Sequence, residues 1–268
     1  MQTNEITFGF PDEWQAFLKR YPRFAEKLHP LSKTFHSVFI REVETSNPAD
    51  RIVLFLGRLC VEDFMEILLL CGNGYGVGGM KLLRGLYERA VTLGYIAKKP
   101  GKAEQFLDYH YINQGRQFNH ANEVFPMDKH LSSEQIEQIQ SEYKRTKEKY
   151  QEVLCKKCGI TRTRFSWSEL DLRSMAREAG LCDLYLMCYY DPTLQAHATV
   201  SSLIARTKVR ENGQMTFDEG AQHEKAKLAL IGAHNIILYV LDVVNKYFKM
   251  GLEDEVQERF VDFNYIWG

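Results

Sequence analysis

The sequence predicts an all-α fold, a single-domain bundle of several helices, and three observations support this prediction. Long segments repeat their apolar residues at the three- and four-residue spacing of a buried helix face. Gly, Pro and Asn residues separate these segments, as they do where helices begin and end. No segment alternates apolar and polar residues for long enough to demand a β-sheet.

Length and composition indicate one compact unit. The chain has 268 residues, of which 45% are hydrophobic and 26% are charged, close to the globular average. Its 34 basic and 35 acidic residues give a formal net charge of −1, which excludes a global field that draws proteins onto nucleic acid or anionic lipid. The first fifteen residues lack the basic and apolar segments of a signal peptide, so we expect a cytoplasmic protein.

We divide the chain into an N-terminal helical arm, residues 1–49, and a main bundle, residues 50–268. Within the arm, the apolar spacing between Glu13 and Leu28 predicts two short helices at an angle around Pro22, with Pro30 ending the second.

Three long helices form the predicted core. They cover Asp50–Cys71, Met80–Lys98 and Gln222–Met250, each with an apolar face at helical spacing. The last contains the very apolar stretch Leu228–Val244, which falls short of the roughly 20 apolar residues that a membrane-spanning helix needs. We therefore predict a core helix here and no membrane contact.

The segments between the core helices are more polar. A helix is predicted over Lys102–Asn122. The segment Ser132–Tyr150 has so little apolar content that we expect it to form a charged helix projecting from the bundle. Further helices are predicted over Leu181–Tyr190 and, after the break at Asp191 and Pro192, over Thr193–Ala205.

A glycine cluster, Gly74–Gly79, matches the pattern G-x-G-x-x-G of dinucleotide-binding proteins. That fingerprint requires a preceding strand, whereas the preceding MEILLLC has the pattern of a helix end. We therefore favour a turn between two helices over a nucleotide site.

Arg84 and Glu88 are the first candidate site residues. They lie one turn apart on an otherwise largely apolar helix, so both charges are expected to be partly buried. One interpretation is an internal ion pair between helices; the other is a polar cleft in which Arg84 holds an anion. His197 follows the break at Asp191 and Pro192, which would place it near the mouth of such a cleft, although a single histidine is more often structural.

Two functions remain open, so the sequence does not decide whether the chain is an enzyme. The leading hypothesis is a helical module that binds a ligand or partner in a polar pocket between helices. The alternative is a metal-independent ribonuclease in which His197 or His120 is the general acid or base, Arg84 stabilises phosphate charge, and Tyr189 or Tyr190 assists.

Cys155 and Cys158 have the spacing of half a zinc site. Cys182 and Cys188 could supply two more thiolates, but their spacing inside a predicted helix fits a zinc site poorly. Free thiols are the alternative interpretation, and no other cofactor is predicted.

A basic segment beside two aromatic residues is the candidate nucleic-acid contact. Such a combination can hold a phosphate backbone and stack a base, although surface charge beside core aromatics is the commoner explanation. The residues are Lys156, Lys157, Arg162, Arg164, Phe165 and Trp167.

The segment GNGYGVGGMKLLRGLYERAVTLGYIAKKPGKAEQFLDYH, with the later Tyr189, Tyr190 and His197, resembles a bacterial helical family known only as a domain of unknown function. The resemblance runs from about Asp50 to Ala205. It implies an all-α cytoplasmic bacterial protein in which Arg84, Glu88 and His197 line one pocket, and it implies no particular reaction. By association we expect a role in stress or phage defence, with a homo-oligomer formed through exposed helix faces.

Overall fold

A computed structural model describes residues 9–155 and 157–268. The protein is 73% helical, with eleven α-helices and two small antiparallel hairpins among these residues, so the all-α prediction is confirmed. The strands of these hairpins are only three residues long, too short for an alternating pattern, so they were not predicted.

The elements follow one another in a simple order. The helices are α1 (Glu13–Arg20), α2 (Pro22–Phe39), α3 (Pro48–Gly72), α4 (Gly76–Lys98), α5 (Ala103–Val124), α6 (Ser133–Lys147), α7 (Leu172–Ala179), α8 (Asp191–Ala196), α9 (Val200–Ile204), α10 (His223–Phe248) and α11 (Glu253–Trp267). One hairpin pairs β1 (Gln151–Val153) with β2 (Thr161–Thr163), between α6 and α7. The other pairs β3 (Thr207–Val209) with β4 (Met215–Phe217), between α9 and α10.

The chain forms two compact units. The core unit contains residues 9–98 and 172–268 of the described chain, and the insert unit contains residues 99–171. The two boundaries of the insert differ from the predicted boundary between residues 49 and 50. Helices α1 and α2, which belong to the predicted arm, are part of the core unit.

The centre of the core unit is a layer of three long helices, α3, α4 and α10, which pack against one another. Phe64, Leu83, Leu86 and Ile237 are fully buried there. Helix α10 is long and apolar enough to cross a membrane, but 67% of its most apolar stretch is buried inside the protein. Burial of this kind is expected of the core helix that the sequence predicts.

The glycine cluster forms the turn between α3 and α4. Gly74 has a left-handed backbone (φ 84°), and its carbonyl accepts the backbone N–H of Gln222 at 2.9 Å. At Gly76 a Cβ atom would lie 2.3 Å from the carbonyl oxygen of Gln222, so only glycine fits. The Gln222 side chain also accepts the N–H of Val77 at 2.8 Å. A dinucleotide site needs a strand before the turn and free N–H groups at the start of the following helix. Here a helix precedes the turn and the Gln222 side chain binds the N–H of Val77, so the cluster is a turn.

Helix α2 begins at Pro22, as predicted, but it continues through Pro30 to Phe39. The expected helix end at Pro30 is therefore wrong. The reason is packing, because Phe24, Leu31 and Phe35 are buried on both sides of the proline and hold the helix together. Pro30 removes one backbone donor, while its carbonyl accepts the Thr34 hydroxyl at 3.3 Å.

In the insert unit, α5 and α6 pack side by side. Ser132 and Gln135 form a reciprocal capping box at the start of α6. The outer face of α6 is exposed as predicted, and its inner face meets α5 where the Tyr143 ring lies over Gly115. Tyr150 is buried just after α6, and its hydroxyl donates to the carbonyl of Gln105 at 2.6 Å.

Candidate functional site

Arg84 and Glu88 form an ion pair on the surface of α4. Their side chains are 3.0 Å apart and remain 31% and 41% exposed. The Arg84 guanidinium also lies 5.3 Å from the centre of the Tyr189 ring. Burial disfavours the charge of Arg84, but Glu88 and the Tyr189 hydroxyl outweigh burial and raise the pKa of Arg84. The pair is therefore neither fully buried nor isolated: it faces an aromatic surface.

Tyr189 lies on a π-helix that the sequence did not reveal. The predicted helix over Leu181–Tyr190 is instead a 3₁₀ turn, Cys182–Leu184, followed by the π-helix Leu186–Tyr190. The π-helix leads directly into α8, so Asp191 and Pro192 begin a helix and do not break one. A π-helix is rare, and such segments occur often at functional sites.

Three tyrosine rings meet beside Arg84. The Tyr189 ring centre lies 5.2 Å from that of Tyr185 and 6.1 Å from that of Tyr87. Tyr87 is fully buried, its hydroxyl donates to the carbonyl of Leu181 at 2.9 Å, and burial raises its pKa. Tyr87 is thus a fixed base for two rings, that of Tyr185 just before the π-helix and that of Tyr189 within it. Tyr189 is the ring that meets the arginine.

A cavity of about 440 Å³ opens next to these tyrosines. Its lining residues combine one arginine, one carboxylate and two tyrosines, and the Arg173 guanidinium lies 5.7 Å from the Tyr185 ring centre. The lining consists of Arg173, Cys182, Asp183, Tyr185, Leu186 and Tyr190. This arrangement offers charge and flat rings to a ligand at one surface.

Among the residues that the structure describes, two buried polar atoms on helices that pack together have no hydrogen-bond partner. They are Nε of Arg84 and Oε1 of Gln195, on α4 and α8, two helices that pack together. A buried donor or acceptor without a partner costs stability and calls for a bound group or water. Gln195 was not a sequence candidate because nothing in its local pattern indicates burial.

The histidine candidates do not join this cluster. His197 follows the end of α8, is exposed, and its side chain has no hydrogen bond or ion pair with the residues that the structure describes. His120 belongs to the insert unit, is 81% exposed, and lies 3.7 Å from Glu123. The sequence candidates that the structure brings together are therefore Arg84, Glu88 and Tyr189.

Another ion pair, with a buried carboxylate, was not among the sequence predictions. Asp63 on α3 pairs with Arg89 on α4 and is only 8% exposed. Burial raises the pKa of Asp63, and Arg89 partly offsets that effect. The available signal was the run VEDFMEILL, in which three acids interrupt apolar residues. The pair ties two core helices together, which is the structural role considered for Arg84 and Glu88.

The basic segment is divided between structural and exposed roles. Arg164 is turned inward, 5.4 Å from the Tyr150 ring centre, and Arg162 pairs with Glu152. Phe165, by contrast, is 76% exposed between two guanidinium groups, 4.8 Å from Arg116 and 5.4 Å from Arg162. The remaining candidates differ: Lys157 is exposed, Trp167 packs on Phe106, and Lys156 lies outside the described residues.

Cys155 and Cys158 lie in the loop of the β1–β2 hairpin, and both are free thiols. A hydrogen bond with the Cys158 thiol, together with backbone N–H groups of Cys158 and Lys157, lowers the pKa of Cys155. No group of three or more His, Cys, Asp or Glu side chains is placed to hold a metal within residues 9–155 and 157–268. Cys182 and Cys188 belong to the core unit, and Cys188 is buried there.

Comparison with known proteins identifies a family but no activity. No curated protein and no solved structure matches the chain. A family of unknown function, DUF5677, matches residues 50–215. The matched segment begins in α3 and ends at the start of β4, so it includes Arg84, Glu88, Tyr189 and the π-helix. The resemblance to a family without an assigned function is thereby confirmed. Because the match covers more than half of its length, this chain belongs to the DUF5677 family.

Proposed function

We propose that this chain is a non-enzymatic binding module whose ligand docks at Arg84 and the tyrosines of the π-helix. The observation that carries the proposal is the π-helix Leu186–Tyr190, which brings Tyr189 beneath the Arg84 guanidinium. Irregular helical turns cost hydrogen bonding and persist where they position side chains for a purpose.

The chemistry of this surface favours a ligand that carries an anionic group on a flat ring. A guanidinium presents a planar set of donors to phosphate or carboxylate. About a third of the Arg84 side chain is exposed, so an anion can compete with Glu88 for its terminal nitrogen atoms. The rings of Tyr185 and Tyr190, which line the adjacent cavity, supply a surface for stacking.

Binding is favoured over the alternative, ribonuclease activity. A metal-independent ribonuclease needs a general base within hydrogen-bond reach of the phosphate-binding arginine or the substrate that it holds. The His197 side chain has no hydrogen bond or ion pair with the residues that the structure describes, and His120 lies beside Glu123 of its own helix. The cluster around Arg84 instead offers an arginine, a carboxylate paired with it, and tyrosine rings.

Calorimetric titration of the full chain with adenosine monophosphate and with inorganic phosphate tests the proposal. Adenosine monophosphate combines an anion with a flat ring, so we expect it to bind more tightly than phosphate. Arg84→Gln should weaken binding at least tenfold, because it removes a charge-assisted contact of the kind worth about 1.5–3 kcal/mol.

Arg58→Gln is the matched control. Arg58 forms the same i,i+4 pair with Glu62 on α3, at 3.7 Å, and its side chain is 49% exposed, so it is at least as accessible as Arg84. Equal weakening by both variants, or no binding to either compound, would count against this site. RNA cleavage that His197→Ala abolishes would support the ribonuclease instead.

A second candidate function, contact with single-stranded nucleic acid, concerns the insert unit and rests on Phe165. An exposed ring flanked by two guanidinium groups is suited to stacking a base beside a phosphate. Fluorescence anisotropy with a short RNA should show binding that Phe165→Ala abolishes. Phe125→Ala, which removes another strongly exposed ring of the same unit, should leave it unchanged.

The biological setting, a bacterial stress or phage-defence system, is proposed from the resemblance alone. Plaque counts on cells that express the chain, compared with cells that express Arg84→Gln, test it. A protective effect that requires Arg84 would link the setting to the binding site, and equal plaque counts in both would contradict it.

A further inference from the structure

The loop between β1 and β2 holds its two cysteines in a defined turn. The N–H of Leu154 donates to the carbonyl of Ile160 at 2.8 Å, which closes the loop just beyond the strands. Gly159 has a left-handed backbone (φ 68°), and its N–H donates to the carbonyl of Cys155 at 3.0 Å. The chain thus reverses direction between Leu154 and Ile160, and both cysteines belong to this loop.

The two cysteine side chains of this loop lie together. Sγ of Cys155 is within hydrogen-bond reach of the Cys158 thiol and of the backbone N–H groups of Lys157 and Cys158. Two cysteines separated by two residues and held in a tight turn are the usual half of a structural zinc site.

Within residues 9–155 and 157–268, one chain groups only these two metal-ligating side chains at the loop. Structural zinc takes four ligands, and this pair supplies two. No larger group of ligating side chains occurs in the part of the chain that the structure describes. Cys188 is fully buried in the core unit, where burial raises the pKa of its thiol to about 12. A second molecule can supply the two ligands that complete such a site.

We propose that Cys155 and Cys158 form half of a tetrathiolate zinc site, and that the same two residues of a second copy complete it. Identical halves related by a twofold axis give four equivalent thiolates without any further ligand. On binding, each thiol gives its proton to solvent as its bond to the metal forms, with no change of oxidation state.

The surface around the cysteines fits this arrangement. Val153, Leu154 and Ile160 are 59%, 54% and 56% exposed beside them, an unusual apolar group for a hairpin end. A second copy placed across the metal would cover these side chains. Lys157 is exposed between the cysteines in sequence, and its charge would partly offset the net charge of −2 that zinc with four thiolates carries.

The experiment is a titration of the reduced full chain with Co²⁺ and then Zn²⁺, followed by light-scattering chromatography. We expect saturation at one metal ion per two chains, the absorption spectrum of Co²⁺ with four sulfur ligands, and a dimer that a chelator dissociates. Cys155→Ser and Cys158→Ser should each abolish metal binding and the dimer. Cys182→Ser, a half-buried cysteine outside the hairpin, should change neither.

Several results would overturn the proposal. One metal ion per chain in a monomer would mean that solvent or another group completes the site. A dimer that survives both the chelator and Cys155→Ser would have a different interface. Failure to bind Co²⁺ at micromolar concentration, with oxidation of the pair to an intramolecular disulfide measured by mass, would make it a redox pair instead.

Discussion

The indole N–H of Trp267 donates a hydrogen bond to Nδ1 of His234, 3.1 Å away, and so joins the end of α11 to the middle of α10. The imidazole is 2% exposed and lies against the rings of Phe24, Phe64 and Phe263. Because Nδ1 accepts a hydrogen bond, it carries no proton. Burial lowers the pKa of His234 to about 4, an effect that the charge of Asp262 only partly opposes. His234 is thus a neutral core residue.

This burial predicts that acid weakens the fold through His234. In the unfolded chain the histidine has a pKa near 6.5, so between pH 6.5 and about 4 the unfolded state binds a proton that the native state does not. Its contribution to stability is complete above pH 6.5 and is lost as the pH falls through that interval. The loss amounts to about 3 kcal/mol, which urea unfolding at pH 7, 6, 5 and 4.5 will measure.

The variant His234→Gln separates the contribution of His234 to the pH dependence of stability from the contribution of the carboxylates. Glutamine keeps an acceptor for the Trp267 N–H but does not titrate. We expect the variant to be less stable than the wild type at pH 7 and to lose less stability on acidification. Parallel pH profiles for the two proteins would show that His234 is not the group responsible.

Two glycines of α4 should respond to alanine in opposite directions. At Gly76 a Cβ would meet backbone atoms of Gln222 and Ala226 at 2.3 and 2.4 Å, so Gly76→Ala should cost at least about 2 kcal/mol. At Gly85 the nearest neighbour is the Arg89 side chain at 3.8 Å, so Gly85→Ala should stabilise the helix by about 0.5–1 kcal/mol. Urea midpoints of both variants test this, and a shift in the same direction would contradict the close approach at Gly76.

The long helices were predictable because their burial is periodic along the chain. The expected helix Gln222–Met250 became α10, and the charged segment after Ser132 became α6, each within a few residues. Apolar spacing and capping residues are local properties, so one sequence reveals them. The helix end predicted at Pro30 is wrong because a proline usually indicates a helix end. The packing on both sides of Pro30, which keeps the helix intact, is not a local property of the sequence.

The candidate site was predictable only in part. Arg84 and Glu88 stood out because they interrupt an apolar helix, and Tyr189 was already a candidate. Their meeting depends on the π-helix, which differs from an α-helix by one residue in its hydrogen bonding and has no pattern of its own. The division into two units depends on which helices pack together. This is a property of tertiary contacts, and no local pattern within residues 99–171 indicates it.

The Tyr87 hydroxyl should stabilise the base of the tyrosine cluster. It donates to the carbonyl of Leu181 at 2.9 Å in a buried setting, so Tyr87→Phe leaves that carbonyl without a partner. We expect a loss of about 1–2 kcal/mol in the free energy of unfolding. Tyr190→Phe, at an exposed position of the same cluster, should stay within about 0.5 kcal/mol of the wild type. Equal losses in the two variants would contradict the role given to the Leu181 contact.

Arg116 should hold the β1–β2 hairpin to α5 through its guanidinium fork. It donates to the Tyr109 hydroxyl at 2.9 Å and to the backbone carbonyls of Thr163 and Arg164 at 3.0 and 2.8 Å. Lysine keeps the charge but cannot reproduce this planar set of donors. Arg116→Lys should therefore cost about 1–3 kcal/mol and speed amide hydrogen exchange in the hairpin.

Arg145→Lys provides the comparison for Arg116→Lys within the same unit. Arg145 is an exposed residue of α6 that pairs only with Glu142, at 2.6 Å, among the ion pairs of the described chain. An exposed pair of this kind contributes little, so the substitution should change stability by less than about 0.5 kcal/mol. Hydrogen exchange read by mass spectrometry distinguishes the two. Unchanged hairpin protection in Arg116→Lys would mean that the strands hold to α5 through the Tyr109 and Tyr150 contacts alone.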